Sequence, residues 1–307
     1  MTTTLTNMID EVLINLSGYT LSQDRATYLR TAVTGTTSSS AAPTILDLGS
    51  TDNVGKGVLE IDEELLWVDS FDRVSNTATI APFGRGYLGT TATTHALDSK
   101  VTISPTFPRY VVKRAINDTI NSLGSTIFAV KETSFTWDAA KTTYAFNDLN
   151  IKSILTMSWQ TIGPSEDWQR INIWSWDPRA NATAFGANAQ TVTIGDMVNP
   201  SRTVKVLYAA DPVAFTTNTQ DFVTQTGLPA STKDVVILGA VYRLLSYLDP
   251  ARAAMVSPQA DETDSKRPYG ASQSATKQIY ALFTQRLNEE IRSQQANFPI
   301  RAHYSRR

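Results

Sequence analysis

The spacing of apolar residues alternates along this chain between helical and strand-like periods, and that alternation limits what it can fold into. Leu5, Met8, Ile9, Val12, Leu13 and Leu16 recur at helical spacing behind Thr4, a good N-cap residue, and Gly18 offers a stop. A Thr/Ser/Gly-rich loop occupies 34–43. From Thr44 to Thr106 the pattern is β, with strands predicted at 58–61, 64–69, 77–80 and 100–104 and a turn at Ser75-Asn76. This reads as a small antiparallel barrel or meander. Pro105 and Pro108 end it, and Pro108 is pre-organised for the first turn of a helix. Val111, Val112, Ala115, Ile116, Thr119, Ile120 and Leu123 form that helix's apolar stripe, and Gly124 stops it. The β period returns from Thr126 to about Ala214, with strands predicted at 126–130, 143–146, 153–160, 169–176, 191–194 and 204–208, at sandwich-like intervals. Two helices close the chain, at about 233–248 and 274–295. The second carries Ile279, Leu282, Phe283, Arg286, Leu287 and Ile291 on one side. A polar loop with Asp261, Glu262, Asp264 and Lys266 joins them.

Each helix has one apolar face and is marginal alone in water. The economical arrangement packs all four together. The expected fold is therefore α+β, a helical hub of about four helices with two antiparallel β inserts, one a small barrel or meander and the other larger and sandwich-like. The expected divisions are a hub helix (1–19), a first β insert (20–106), a second hub helix (107–125), a second β insert (126–218), C-terminal hub helices (219–295) and a tail (296–307).

A chain of 307 residues is long enough for two or more cores. Charged residues make up only 18% of it, and Thr, Ser, Ala and Asn fill the gap, a balance that suits strands with polar outer faces. The formal charge of -2 argues against general DNA or anionic-membrane binding. There is no Cys, which removes zinc knuckles, thiol catalysis and disulfides together. No basic stretch followed by an apolar run begins the chain, so no signal peptide is expected, and Val235 to Leu248 is too short and interrupted to cross a membrane. Charge is uneven. Acids outnumber bases ten to three from Met1 to Asp69, and bases outnumber acids nine to five from Ala251 to Arg307. Chance is one reading of that asymmetry; head-to-tail stacking of copies, or of rings, is another.

Few residues invite chemistry. His95 lies among Thr90, Thr91, Thr93 and Thr94, but no nucleophile elbow or third member accompanies it, and packing within its loop is the simpler reading. Glu60, Asp62, Glu63, Glu64 and Asp69 are the densest acids. They lack the ligand spacing of a calcium loop. A solvated hairpin face is the expected reading; a channel lining that repels DNA phosphates is a functional version of it, for Glu60, Asp62, Glu63 and Glu64. Arg85-Gly86 and Leu88-Gly89-Thr90 lack the Lys-Ser/Thr end of a phosphate loop and read as tight turns. Trp159, Trp168, Trp174 and Trp176 crowd one stretch. Trp174 and Trp176 share a strand face and suit a core or subunit interface, while sugar stacking is the alternative. The basic, aromatic tail around Phe298, Ile300, Arg301, Tyr304, Arg306 and Arg307 is either a free end or a peptide that docks in a partner's groove. No set of nucleophile, base and oxyanion donors can be assembled, so neither enzymatic activity nor a cofactor or metal is expected.

Gly84-Arg85-Gly86-Tyr87-Leu88-Gly89-Thr90 through His95, then Pro105-Thr106-Phe107-Pro108-Arg109 and Ala115-Ile116-Asn117, resemble proteins of the neck of tailed bacteriophages. The alternating layout is similar to head-to-tail adaptor proteins enlarged by β inserts. The match covers about a third of the chain, and Arg-Gly-x-x-Gly-Thr turns before a His occur in other phage tail proteins as well. The resemblance implies a structural virion protein made in the host cytoplasm and placed at the head-tail junction. It implies a homo-oligomeric ring, commonly of twelve subunits, between the portal protein and the next neck or tail ring. DNA passes through such a ring without tight binding, and no membrane is involved. The tail would reach into portal subunits. A tail-associated protein whose second β module binds host glycans through its Trp cluster is the alternative.

Overall fold

A computed structural model describes residues 3–19, 24–35, 44–147, 149–161, 167–246 and 271–299. Among these, thirteen strands form three antiparallel sheets, joined by six α-helices. The chain divides into two compact units. One comprises 6–116 and 237–282; the other comprises 1–5, 117–236 and 283–307.

The first unit contains six strands: β1 (Arg25–Tyr28), β2 (Thr44–Asp47), β3 (Gly57–Ile61), β4 (Glu64–Asp72), β5 (Thr77–Ile80) and β6 (Lys100–Ile103). They run in the order β1-β6-β3-β4-β5-β2, every neighbour antiparallel. The two ends of that order meet. Leu29 bridges Leu48, the Arg30 N–H donates to the Asp47 carbonyl at 2.8 Å, and the Gly49 N–H donates to the Tyr28 carbonyl at 2.9 Å. The sheet is thus a small barrel, and closure leaves few unpaired strand edges. Alternate residues face inward: Leu46 and Leu48, Leu59 and Ile61, Leu66 and Val68, Ala78 and Ile80, Val101 and Ile103 form one apolar cluster. Opposite β5, Val68 pairs with Ile80 and Ser70 with Thr79, so Asp69 is the extra residue of a bulge that bends β4.

The second unit holds a sandwich. Its four-stranded sheet runs β10 (Trp168–Arg170), β9 (Ser153–Gln160), β13 (Thr203–Ala210), β7 (Ala129–Thr136). Its three-stranded sheet runs β11 (Trp174–Asp177), β12 (Gln190–Ile194), β8 (Thr143–Phe146). Residues from both sheets share one core, including Ile154, Met157, Val204 and Val206 from the first and Phe146, Val192 and Ile194 from the second. Ile154 and Met157 break strict alternation because Leu207 pairs with Thr156 and Tyr208 with Ile154. Leu155 is therefore a bulged residue, and it resets which side of β9 faces the core.

The helices are α1 (Leu5–Ser17), α2 (Arg109–Leu123), α3 (Ala182–Phe185), α4 (Phe222–Thr226), α5 (Lys233–Leu245) and α6 (Ala271–Asn297). The stripes read from sequence are buried in α1 (Leu5, Met8, Ile9, Val12, Leu16) and in α2 (Val112, Ala115, Ile116, Ile120, Leu123). In α6 the stripe is thinner: Ile279 is buried, but Leu282 is 44% exposed.

The expected four-helix hub with projecting β inserts is not the architecture, although α+β content is consistent with it. Three antiparallel sheets dominate, and the elements that pair along their lengths are strands. The reason is physical. A helical stripe says that a face is buried; it does not say against what. The sequence-predicted strand at 126–130 also moves, to β7 at Ala129–Thr136, and the predicted strand 169–176 is two strands in different sheets. The joining loop with Asp261, Glu262, Asp264 and Lys266 lies outside the described residues.

Neighbours on β2 test the barrel's inside and outside. Leu46 is fully buried, whereas Ile45 is 65% exposed. Leu46→Ala is expected to cost about 2–5 kcal/mol in chemical denaturation, and Ile45→Ala about 0.5 kcal/mol or less.

Candidate functional site

The residues singled out in sequence for chemistry converge on one rim of the barrel. The β3–β4 hairpin places Asp62 at its tip with φ 57°, and Glu64 opens β4, paired with Ile61. The segment from Ala81 to His95 then folds over Glu64. Gly84 makes this possible: a Cβ there would sit 2.8 Å from the Ala81 carbonyl oxygen and 2.9 Å from that of Trp67. Phe83 and Leu88 hold φ of 60° and 55°, values that cost a non-glycine residue energy and need surrounding contacts to maintain them.

Glu64 supplies those contacts. Its side chain is fully buried and accepts from five donors. Arg85 Nε donates to Oε1 at 2.5 Å and Nη2 to Oε2 at 2.8 Å. The backbone N–H groups of Gly86 and Thr93 donate at 3.0 and 2.9 Å. His95 Nε2 lies 2.9 Å from Oε2. Arg85 also donates to the Thr93 carbonyl at 2.6 Å. The Thr90 hydroxyl accepts from the Leu65 N–H and donates to the Tyr87 carbonyl. His95 is held by its backbone too, through a two-bond bridge to Val33.

The electrostatics follow. Burial pushes the Glu64 carboxyl up, but Arg85, His95 and the Thr93 N–H outweigh it and hold the group at about 2. His95 carries a carboxylate on each ring nitrogen, Asp62 on Nδ1 at 2.7 Å and Glu64 on Nε2. Donation from both nitrogens satisfies both acids, so this geometry favours the imidazolium form. Burial opposes that charge, but Asp62 and Glu64 raise the pKa above its usual value. Two cations and two anions then balance in the cluster. Neither nitrogen faces a hydroxyl, so a Ser/Thr-His nucleophile does not form here. Among the described residues no group of three or more His, Asp or Glu side chains could hold a metal ion.

A second buried acid acts at the adjoining helix. Glu60 accepts from the Arg109 N–H, at the start of α2, at 2.5 Å. It caps a helix end that would otherwise leave a donor unpaired. Burial dominates its titration and lifts the carboxyl to about 7, helped by Asp24 and Glu63 and opposed by Arg109. Glu63 pairs with Lys113 at 3.0 Å, and Arg109 with Asp10 at 2.6 Å.

The solvated, DNA-repelling face expected of Glu60, Asp62, Glu63 and Glu64 is therefore corrected. Glu60 and Glu64 are buried and Glu63 is paired; Asp62 alone of the four is largely open to solvent, and it is tied to His95. Alternation placed Glu60 opposite Leu59 and Ile61 correctly, but that opposite side is covered. Trp174 and Trp176 are half-buried and pack on the sandwich core, the first of the roles expected for them. Trp168 is the exposed one, with Lys205 Nζ 5.7 Å from its ring centre. At the tail, α6 runs on to Asn297, and Phe298 packs its ring edge-on to Phe128. Ile300, Arg301, Tyr304, Arg306 and Arg307 lie outside the described residues. What sequence reading missed is the pairing of Arg85 with Glu64; an Arg inside a glycine turn and an acid opening an apolar strand were the separate signals.

No family model matches the chain, and no curated protein matches it significantly. No helix among the described residues is long and apolar enough to cross a membrane.

Two outcomes check this site. Arg85→Met strands the Glu64 charge and is expected to cost about 3–5 kcal/mol in urea denaturation. Glu60 and Glu64 work in opposite pH windows. Glu64, lowered from 4.5 to about 2, stabilises above pH 4.5 and loses that contribution as pH falls through about 2. Glu60, raised from 4.5 to about 7, contributes stability below pH 4.5 that is lost as pH rises through about 7. The stability of Glu60→Gln relative to the parent should thus climb between pH 4.5 and 7 and level off above. A difference flat in pH would show that Glu60 ionises freely.

Proposed function

We propose that this chain is a structural virion protein, a head-to-tail adaptor that forms a ring between the portal and the tail and through which DNA passes. The reading rests on the resemblance of Gly84 to His95 and of Pro105 to Asn117 to phage neck proteins. One observation supports it: in the segment that carries the resemblance, Glu64 accepts the donors of Arg85, Gly86, Thr93 and His95. A loop whose charged groups are used up in fixing its own shape suits a rigid assembly surface. The same loop leaves Phe83 and Leu88 exposed, at 64% and 69%. Exposed apolar side chains on a stiff turn are what a subunit contact needs. The net charge of -2 fits a conduit that DNA traverses without sticking. Glycan binding is supported less, because Trp174 and Trp176 are committed to the sandwich core.

Negative-stain imaging of the purified protein, alone and mixed with the portal, tests the proposal. Rings, or a ring added to the portal, are expected. Single subunits that leave portal particles unchanged across micromolar concentrations would refute the adaptor role.

A further inference from the structure

A strand edge is a template for pairing, and folded chains blunt it by closure, by short edge strands, by proline or by bulges. The first unit uses closure: the two ends of its sheet meet at Leu29 and Leu48. In the second unit three of the four sheet edges are short, three residues in β10 and four in β8 and in β11. The fourth edge is β7. It is eight residues long, contains no proline and stays in unbroken register with β13.

Main-chain groups along an antiparallel strand alternate in direction. Trp137, just past β7, turns both of its groups toward the β13 side. Its N–H donates to the Arg202 carbonyl at 2.7 Å, and its carbonyl accepts from the Ser201 N–H at 2.9 Å. Phe135, Thr133 and Lys131 follow the same direction. Thr136, Ser134, Glu132 and Val130 therefore point their N–H and C=O groups away from β13, where no strand pairs with β7 among the described residues. Phe128 is next in that outward series and shows what such groups take. Gln294 of α6 accepts from its N–H at 3.2 Å and donates to its carbonyl at 2.7 Å, as a neighbouring strand would. The side chains of Glu132, Ser134 and Thr136 are exposed.

We propose that the outer edge of β7 pairs antiparallel with β7 of a second copy of this chain, about a two-fold axis at Thr133, so that two four-stranded sheets continue as one. The register names the occupant. The four outward residues are symmetric about Thr133, so Val130 meets Thr136 of the second copy and Glu132 meets Ser134, and every outward group gains a partner. Thr133 faces its own copy, a favourable cross-strand pair. Lys131 faces Phe135 and Glu132 faces Ser134, so no like charges oppose. Centring on Lys131 or Glu132 would set like charges against each other. Centring nearer either end would leave outward groups unpaired. The proposal does not rest on the adaptor reading. A ring closes through head-to-tail contacts, whereas this contact is two-fold, so either can fail while the other stands.

Three measurements on the full chain test it. Sedimentation should show a dimer that dissociates on dilution. The amides of Val130, Glu132, Ser134 and Thr136 should exchange roughly tenfold more slowly where dimer outnumbers monomer about ten to one, while those of Lys131, Thr133 and Phe135, already bonded to β13, do not change. The chain has no Cys, so single cysteines report the register. Thr133→Cys should form a cross-linked dimer under mild oxidation at least roughly tenfold faster than Thr136→Cys, because facing residues of a non-hydrogen-bonded pair lie about 4.5 Å apart at Cα, within disulfide reach. Ser134→Pro removes an outward donor at a position where an edge strand tolerates proline, and should give a monomer with unchanged far-ultraviolet circular dichroism. Monomers throughout the micromolar range, outward amides that exchange fast in the dimer, or equal cross-linking at the two cysteines overturns the proposal.

Discussion

Five donors on one buried carboxylate hold the barrel rim together. Glu64 opens β4, and the loop from Ala81 to His95 has no regular hydrogen-bond ladder of its own. Arg85, the Gly86 and Thr93 N–H groups and His95 all bond to Glu64. Without that anion, the loop's donors would be buried with nothing to satisfy them. With it, the loop tolerates two non-glycine residues at positive φ and keeps Phe83 and Leu88 at the surface. A buried ion pair of this kind is not a cheap source of stability, because desolvation opposes it. What it provides is a single conformation, since every alternative leaves a charge unpaired.

The same logic repeats at the helix beside the barrel. Glu60 caps α2 through Arg109, while Lys113 and Asp10 pair with Glu63 and with the Arg109 side chain. Acids that looked like one solvated patch are thus spent on three separate tasks: gathering a loop, capping a helix and pairing a lysine. Their opposed titrations mean that acid loosens the loop through Glu64 as pH falls through about 2, while a rise from 4.5 through about 7 costs stability by ionising Glu60, because burial outweighs the Arg109 N–H that favours its charge. The combined stability of these groups is greatest between those limits.

Much of this was legible in the amino-acid sequence. The spacing of Leu5 to Leu16 and of Val111 to Leu123 fixed α1 and α2 to within a residue or two, because helix period and caps are local properties. The strands at 143–146 and 153–160 fall where alternation put them. Gly86 and Gly89 were recognisable as turns, and His95 as a packed residue rather than a catalytic one. The β-rich composition pointed to strands with polar outer faces.

Tertiary structure alone decided the rest, and the reason is distance along the chain. Glu64 meets Arg85 across 21 residues and His95 across 31, and no local pattern records such a meeting. Barrel closure depends on β1, a four-residue strand whose pairing with β6 and bridge to Leu48 lie far apart in sequence. Bulges at Asp69 and Leu155 shift which side chains face inward, through registers set by neighbouring strands. Apolar periodicity told which faces are buried; which surfaces bury them, and so whether helices make a hub or sheets make the body, was a property of the folded whole.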